Sequence, residues 1–380
     1  MTRRDFDHQL REPGAVVYGR RSHWLALHLD PVLALLLLLL MAVGLVVLYS
    51  AGDPGHSQVR RQLFSMAVGL ALMSATAQVP LRTLQRWAWL PYVAGVLLLL
   101  AVDLIGEEAK GARRWLALGP LRFQPAELMK IALPLALSAY LGARPAPPRL
   151  RDLIAAGAII LVPLLLVMAQ PDLGTAVLIG GGGGFVLFLA GMAVRYLLIA
   201  GAALAAAAPV MWLFVLHDYQ KTRILTLLDP ESDKLGAGWN IIQSTTAIGA
   251  GGWTGKGWQQ GTQSQLDFLP EGHTDFIIAV LAEEFGFLAV LALIALYALI
   301  IARGLVISLG SPSTFGRLLA GCITLTFFVY VFVNMGMVAG LLPVVGVPLP
   351  MVSYGGTSVV TLSIGFGILM AVRSETGRRA

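Results

Sequence analysis

The sequence predicts an all-α polytopic membrane protein with about ten transmembrane helices, and three observations predict it. The chain of 380 residues is 57% hydrophobic and only 13% charged, with a mean hydropathy of +0.76; a soluble protein keeps far more charge on its surface. Apolar runs long enough to cross a bilayer, about 20 residues, recur along its whole length. These runs do not alternate apolar with polar residues, as the strands of a transmembrane β-barrel would. The single cysteine, Cys322, lies in an apolar stretch and reads as a small buried hydrophobe.

The runs place spans at 31–50, 59–79, 88–105, 125–143, 152–169, 172–192, 196–216, 275–301, 317–340 and 350–372. The first follows a charged arm over 1–30 and is too long for a signal-peptide core, so it reads as an uncleaved span. Arg3, Arg4, Arg11, Arg20 and Arg21 precede it; Arg82, Arg86, Arg144, Arg149, Arg151, Arg195 and Arg303 fall in alternate connections, and Arg373, Arg378 and Arg379 in the tail over 373–380. All share one side when both termini are cytoplasmic, the orientation that the positive-inside rule selects. Residues 31–372 then form a single membrane domain with a large periplasmic loop over 217–274, between spans seven and eight. A connection of that length signals function. Gly180–Gly184 in span six reads as close helix packing or a local distortion.

Spans four, six, eight and ten all begin at the outer face, each with a proline-marked polar motif: FQPAELMK (123–130), QPDLGTA (170–176), LPEGHTDF (269–276) and LPMVSYGGTS (349–358). Pro125 and Pro171 suit a first helical turn, and the helix N-termini favour anions. Lys110, Arg113, Arg114, Arg122, Lys221, Arg223 and Lys256 also fall outside, against the orientation trend. A phosphate-bearing substrate at the outer leaflet explains them; solvated loop charge explains any one of them singly. Glu127 and Lys130, three apart, share a helix face. Inside a membrane such a pair faces a cavity or the bundle interior, either as a structural ion pair or as part of a substrate site. Asp172 either starts its helix or meets that substrate.

The stretch EGHTDFIIAVLAEEFG (271–286) puts Asp275 in the first turn of span eight, at the rim, where the helix dipole would stabilise its carboxylate. Glu283 falls about 12 Å deeper and about 80° round the helix, with Glu284 on the opposite side. These acids therefore form no paired carboxylate site, and Glu283 and Glu284 read as ties to neighbouring helices. Asp275 can meet both water and a membrane-anchored substrate; His273 either orients it or is a plain loop histidine. No metal-ligand spacing, GxSxG motif or phosphate-binding loop occurs, so the energy for any reaction comes with the substrate or from a gradient.

These motifs closely resemble the SEDS family, the shape, elongation, division and sporulation proteins of the bacterial cell wall. KGARRWLALGPLRFQPAELMKIALP (110–134), QPDLGTA (170–176), GWNIIQSTTAIGAGGWTGKGW (238–258), EGHTDFIIAVLAEEFG (271–286) and LPVVGVPLPMVSYGGTS (342–358) follow the family's order and spacing over nearly the whole chain. PVVGVPLPMVSYGG and GTQSQLDFLPEGHTDF are similar to its elongation members. The resemblance implies a peptidoglycan glycosyltransferase that polymerises lipid II into glycan strands at the outer face of the inner membrane, in elongation and rod-shape maintenance. It implies a class B penicillin-binding protein and other elongation-complex membrane proteins as partners, and no nucleic acid. It implies Asp275 as the essential acid, with Glu127, Lys130, Arg114 and Trp115 near the substrate cavity. Arg122, Gln124, Asp172, Arg223, His273 and Ser353, from the same motifs and outer loops, are the further candidate substrate contacts. No cofactor is implied, and a divalent cation cannot be read from sequence.

The chemistry suits such residues. Lipid II carries its sugar on a pyrophosphate leaving group, so one base for the acceptor hydroxyl and cations for the departing pyrophosphate suffice. Inversion in one step needs no nucleophile–acid pair. A lipid-precursor flippase is one alternative, but it favours midplane sites and often an inverted repeat, and the sequence has no such repeat. A non-catalytic scaffold for a transpeptidase is another, but it has no need of Asp275.

Overall fold

Ten helices occupy the ten expected span positions. They are α1 (Pro31–Ala51), α2 (Ser57–Ala77), α4 (Trp89–Ile105), α5 (Pro125–Gly142), α6 (Leu150–Ala169), α7 (Leu173–Leu189), α8 (Val194–Val210), α12 (Ile277–Leu309), α13 (Thr314–Val338) and α14 (Gly356–Arg379). The short α3 (Leu81–Arg86) leads into α4. The computed structural model describes residues 28–379, apart from 53–54, 110–111, 119–120, 234–235, 266–267 and 270; the arm over 1–27 and Lys110 lie outside the described residues. Six of these helices are long and apolar enough to cross a bilayer: α1, α6, α12, α13, α14, and α8 together with a π-helical turn, Met211–Val215, that continues it. The apolar α4 and α7 have 17 residues each, while α2 carries Arg60 and Arg61 and α5 carries Glu127 and Lys130. The largest core cluster joins α1, α2, α12, α13 and α14.

At the end of the bundle assigned to the cytoplasm, Asp30 caps α1 by accepting from Leu33 N at 2.9 Å. It also meets Arg303 of α12 at 2.5 Å and Arg373 of α14 at 3.7 Å. A buried carboxylate is tolerable there because each oxygen faces a cation or an N–H. α7 runs through Gly180–Gly184 as one helix, with Gly182 facing Pro134 and Thr326 and Gly183 facing Ile160, so packing is the correct reading of that run.

Four features lie outside the plain pattern of ten spans. The connection after α4 holds a small antiparallel sheet, β1 (Glu107–Ala109), β2 (Ala112–Leu118) and β3 (Leu121–Phe123), in the order β1-β2-β3. The Gly119-Pro120 pair between the short runs RRWLAL and LRF is a turn signal that a search for membrane helices overlooks. The 217–274 loop holds α9 (Asp218–Leu228), a 3-10 turn at Pro230–Asp233, α10 (Ala237–Gly251) and α11 (Thr262–Gln265). α14 starts at Gly356, leaving 350–355 as a turn.

Fourth, α12 starts at Ile277, so Asp275 stands before the helix rather than in its first turn. This helix runs for 33 residues and is interrupted at Gly286 (φ 77°, ψ −175°). The loop after α10 fills the interruption. Lys256 N and Gly257 N donate to Glu283 O and Glu284 O, while Phe287 N and Leu288 N donate to Gly252 O and Trp253 O. Irregular backbone survives within a membrane bundle only where other protein groups satisfy it in this way.

Candidate active site

Pro125 opens α5 at its first position, where the missing N–H costs nothing. One turn on, Lys130 Nζ lies 2.5 Å from Glu127 Oε1, as the three-residue spacing requires. Lys130 Nζ also lies 4.9 Å from the centre of the Tyr330 ring on α13. The pair borders a small cavity between α5, α13 and α14, whose other polar walls are Thr326, Tyr330, Ser358 and Thr361.

Alternation along β2 puts Arg114 on the face of buried Leu116 and Trp115 on the other, half-buried. Arg114 donates to Gln170 O at 3.3 Å and to Pro171 O, and stands 3.8 Å from Asp172. Asp172 is the N-cap of α7, accepting from Thr175 N at 3.2 Å, so Pro171 lies outside the helix instead of in its first turn. Gln124 Nε2 reaches the other Asp172 oxygen at 3.2 Å, and Tyr219 Oη donates to Pro171 O at 2.5 Å. Arg114, Gln124 and Asp172 thus form one hydrogen-bonded rim. The backbone of Arg122 pairs with Ala117; its side chain lies outside the described ones.

Asp275 occupies a turn over 271–276, closed by Thr274 N and Phe276 N donating to Glu271 O. The irregular stretch after α13 packs against this turn. Gly346 takes φ +80°, and a Cβ there would stand 3.6 Å from Asp275 Oδ2. Asn334 Nδ2 donates to Asp275 O at 2.8 Å and to Val347 O at 2.7 Å. Ser353 Oγ donates to Thr274 O at 2.5 Å and accepts from Leu349 N at 2.8 Å. Tyr354 N donates to His273 O at 3.0 Å, with the two rings 6.2 Å apart. Arg223 reaches Val345 O at 3.5 Å. His273, Asp275, Arg223 and Ser353 therefore converge on the stretch 345–354. The same stretch packs Val347 against Tyr330, which walls the Lys130 cavity.

Glu283 and Glu284 are ties, as their helical angles implied. Glu283 accepts from Lys256 Nζ at 2.8 Å, Thr262 Oγ1 at 3.1 Å and Gln263 N at 3.0 Å, so the Lys256 cation is engaged within the fold. Glu284 accepts from Ser50 of α1. Sequence reasoning missed three residues that shape the site: Tyr330, Asn334 and Gln62. Gln62 donates to Ser353 O at 3.1 Å and accepts from Gly355 N at 3.2 Å. Tyr330 and Asn334 are polar groups inside an apolar helix, a signal of function or of a specific tie, whereas Gln62 follows Arg60 and Arg61 and does not stand out in the sequence.

Residues 30–378 match the cell cycle protein family FtsW/RodA/SpoVE. The chain is 50% identical over 357 residues to the peptidoglycan glycosyltransferase MrdB of Escherichia coli (strain K12), covering 94% of this chain and 96% of that one. It is 35% identical over 360 residues to the probable peptidoglycan glycosyltransferase FtsW of Idiomarina loihiensis, covering 91% and 87%. Among solved structures it resembles a chain of a peptidoglycan synthase complex that coordinates polymerization and crosslinking, at TM-score 0.80 and 35% identity, covering 91% of this chain and 98% of that one. It also resembles the rod shape determining protein RodA of Thermus thermophilus, at TM-score 0.69 and 32% identity, covering 90% and 96%. The buried ion pair, the polar rim and the Asp275 turn thus stand on a fold and a sequence that belong to the FtsW/RodA/SpoVE cell cycle protein family, the SEDS family that the motifs resemble.

Proposed function

We propose that Asp275 is the general base of a glycosyl transfer that polymerises lipid II into glycan strands at the outer face of the membrane. The chain is a peptidoglycan glycosyltransferase of the inner membrane, which it crosses several times. The observation that carries the assignment of roles is the shared scaffold. The stretch 345–354 borders the Asp275 carboxylate through Gly346 and the wall of the Lys130 cavity through Val347 and Tyr330. One piece of backbone therefore sets a carboxylate and a buried cation relative to each other, the two charges that the reaction needs.

In the proposed step Asp275 takes the proton of an acceptor sugar hydroxyl. The freed oxygen attacks the anomeric carbon of the donor, and the bond from that carbon to the pyrophosphate oxygen breaks. Lys130, with Arg114 and Arg223 of the outer rim, stabilises the charge that develops on the leaving group. Glu127, Gln124 and Asp172 hold those cations and the rim in place, and Trp115, His273 and Ser353 border the substrate path, with Arg122 a further proposed substrate contact from its motif. The leaving group travels with the donor, so the proposal assigns no cofactor. A class B penicillin-binding protein is the proposed crosslinking partner, supported by the synthase complex that this fold resembles.

Asp275→Asn keeps the shape and removes the basicity. Reconstituted with purified lipid II, it is expected to fold, to bind its partner and to lose at least about a hundredfold in polymerisation rate, the low end for a positioned base. Glycan strands made at a near-normal rate by this variant would end the general-base assignment.

A further inference from the structure

We infer that Asn334 is a positioning residue for the transfer, fixing the Asp275 carboxylate against the backbone at Gly346; the inference rests on the proposed role of Asp275. Asn334 is fully buried in α13, a regular helix of 25 residues. An amide carries two N–H donors on one nitrogen, and Asn334 places both on main-chain oxygens, Asp275 O at 2.8 Å and Val347 O at 2.7 Å. Two carbonyls demand the NH₂ end of the amide, so its orientation is settled by chemistry. Among the described residues the Asn334 oxygen has no hydrogen-bond partner, and the nitrogen is the working end.

The two acceptors belong to segments that lack regular backbone pairing: the 271–276 turn and the stretch between α13 and α14. Both carbonyls lie in irregular backbone, and a buried carbonyl there takes its hydrogen bond from a side chain such as this one. A single side chain on a rigid helix therefore rivets both segments at once. It sits beneath the backbone of Asp275 on one side and one residue past Gly346 on the other. Those are the two places whose separation sets where the carboxylate stands, since a Cβ on Gly346 would lie 3.6 Å from Asp275 Oδ2. A displacement of about 1 Å at a reacting group can cost about a hundredfold in rate. Asn334 touches no reacting atom in this arrangement, and its effect passes through Asp275.

The test measures lipid II polymerisation per folded molecule, with melting temperature recorded alongside. Asn334→Ala is expected to lower kcat at least about tenfold while KM for lipid II stays within about threefold. Asn334→Ser retains one donor and is the second variant should Asn334→Ala fail to fold; it is expected to fall between Asn334→Ala and wild type. The decisive comparison uses Asp275→Glu, in which the carboxylate is already displaced by a methylene. There the loss on Asn334→Ala or Asn334→Ser is expected to shrink to less than a third of its value in the wild-type background. Equal fold-losses in both backgrounds would make Asn334 a purely structural group and overturn the inference, as would a wild-type kcat in the folded single variants. Full activity of Asp275→Asn would instead remove the base assignment itself, and the two failures are thereby separable.

Discussion

The Lys130 ammonium stands 2.5 Å from the Glu127 carboxylate, with about a tenth of each side chain exposed. Within a bundle of apolar helices neither charge is tolerable alone, because desolvation outweighs what a lone ion can recover. The pair survives because its members neutralise each other and the Tyr330 ring lies beside the ammonium.

Breaking that pair separates structure from chemistry. Lys130→Ala leaves Glu127 buried without its cation, at a cost of about 3–5 kcal/mol; Glu127→Gln keeps the shape and one acceptor. Lys130→Ala is expected to lower polymerisation more than Glu127→Gln, per folded molecule, because the proposed step also gives Lys130 the charge of the departing phosphate to stabilise. Wild-type turnover by folded Lys130→Ala would remove the phosphate role.

Glu283 predicts the opposite behaviour. Lys256, Thr262 and Gln263, which donate to it, all lie in the segment 256–263, so it clasps that loop to α12. Glu283→Gln is expected to cost about 1–3 kcal/mol and to speed proteolytic cleavage within 253–265, while turnover per folded molecule stays within a few-fold. Unchanged cleavage would show that the clasp is not what holds the loop.

The interruption of α12 gives a test of backbone fit. At Gly286 φ is +77°, and a Cβ would stand 2.3 Å from Gly255 N. Left-handed backbone alone costs a side chain about 1–2 kcal/mol, and the clash adds to it. Gly249 of α10 has open space around it, where alanine gains about 0.5–1 kcal/mol in a helix. Thermal unfolding in detergent should therefore drop markedly for Gly286→Ala and hold or rise for Gly249→Ala. Equal melting temperatures would contradict the inserted-loop geometry.

Orientation is testable by labelling. Gln260 is exposed in the 217–274 loop, and Cys322, the single native cysteine, is buried. Gln260→Cys is expected to react with a membrane-impermeant maleimide in intact cells. No labelling, under conditions that label a known periplasmic site, would reverse the proposed topology.

Much of this molecule was legible because it depends on local pattern. A run of about 20 apolar residues is a helix candidate wherever it occurs, and all ten runs became helices. The Glu127–Lys130 contact followed from three-residue spacing, and the separate duties of Glu283 and Glu284 followed from their angle around one helix. Asp275 was singled out by its motif, although the first-turn position expected for it gives way to a turn that ends just before α12.

What sequence could not supply is who satisfies whose backbone. The acceptors of Asn334 lie 59 and 13 residues away, and the carbonyl that Gln62 binds lies 291 away. No periodicity encodes such partners, because hydrogen bonding between irregular segments depends on where the helices bring them. The break at Gly286 exists only because the segment 252–257 arrives to fill it. By itself the sequence determined a membrane bundle and the residue types of a glycosyl-transfer site. Tertiary structure alone decided where the Asp275 carboxylate stands, because Asn334 and Ser353, brought from distant parts of the chain, join the turn's own N–H groups in holding it in place ahead of the helix that follows.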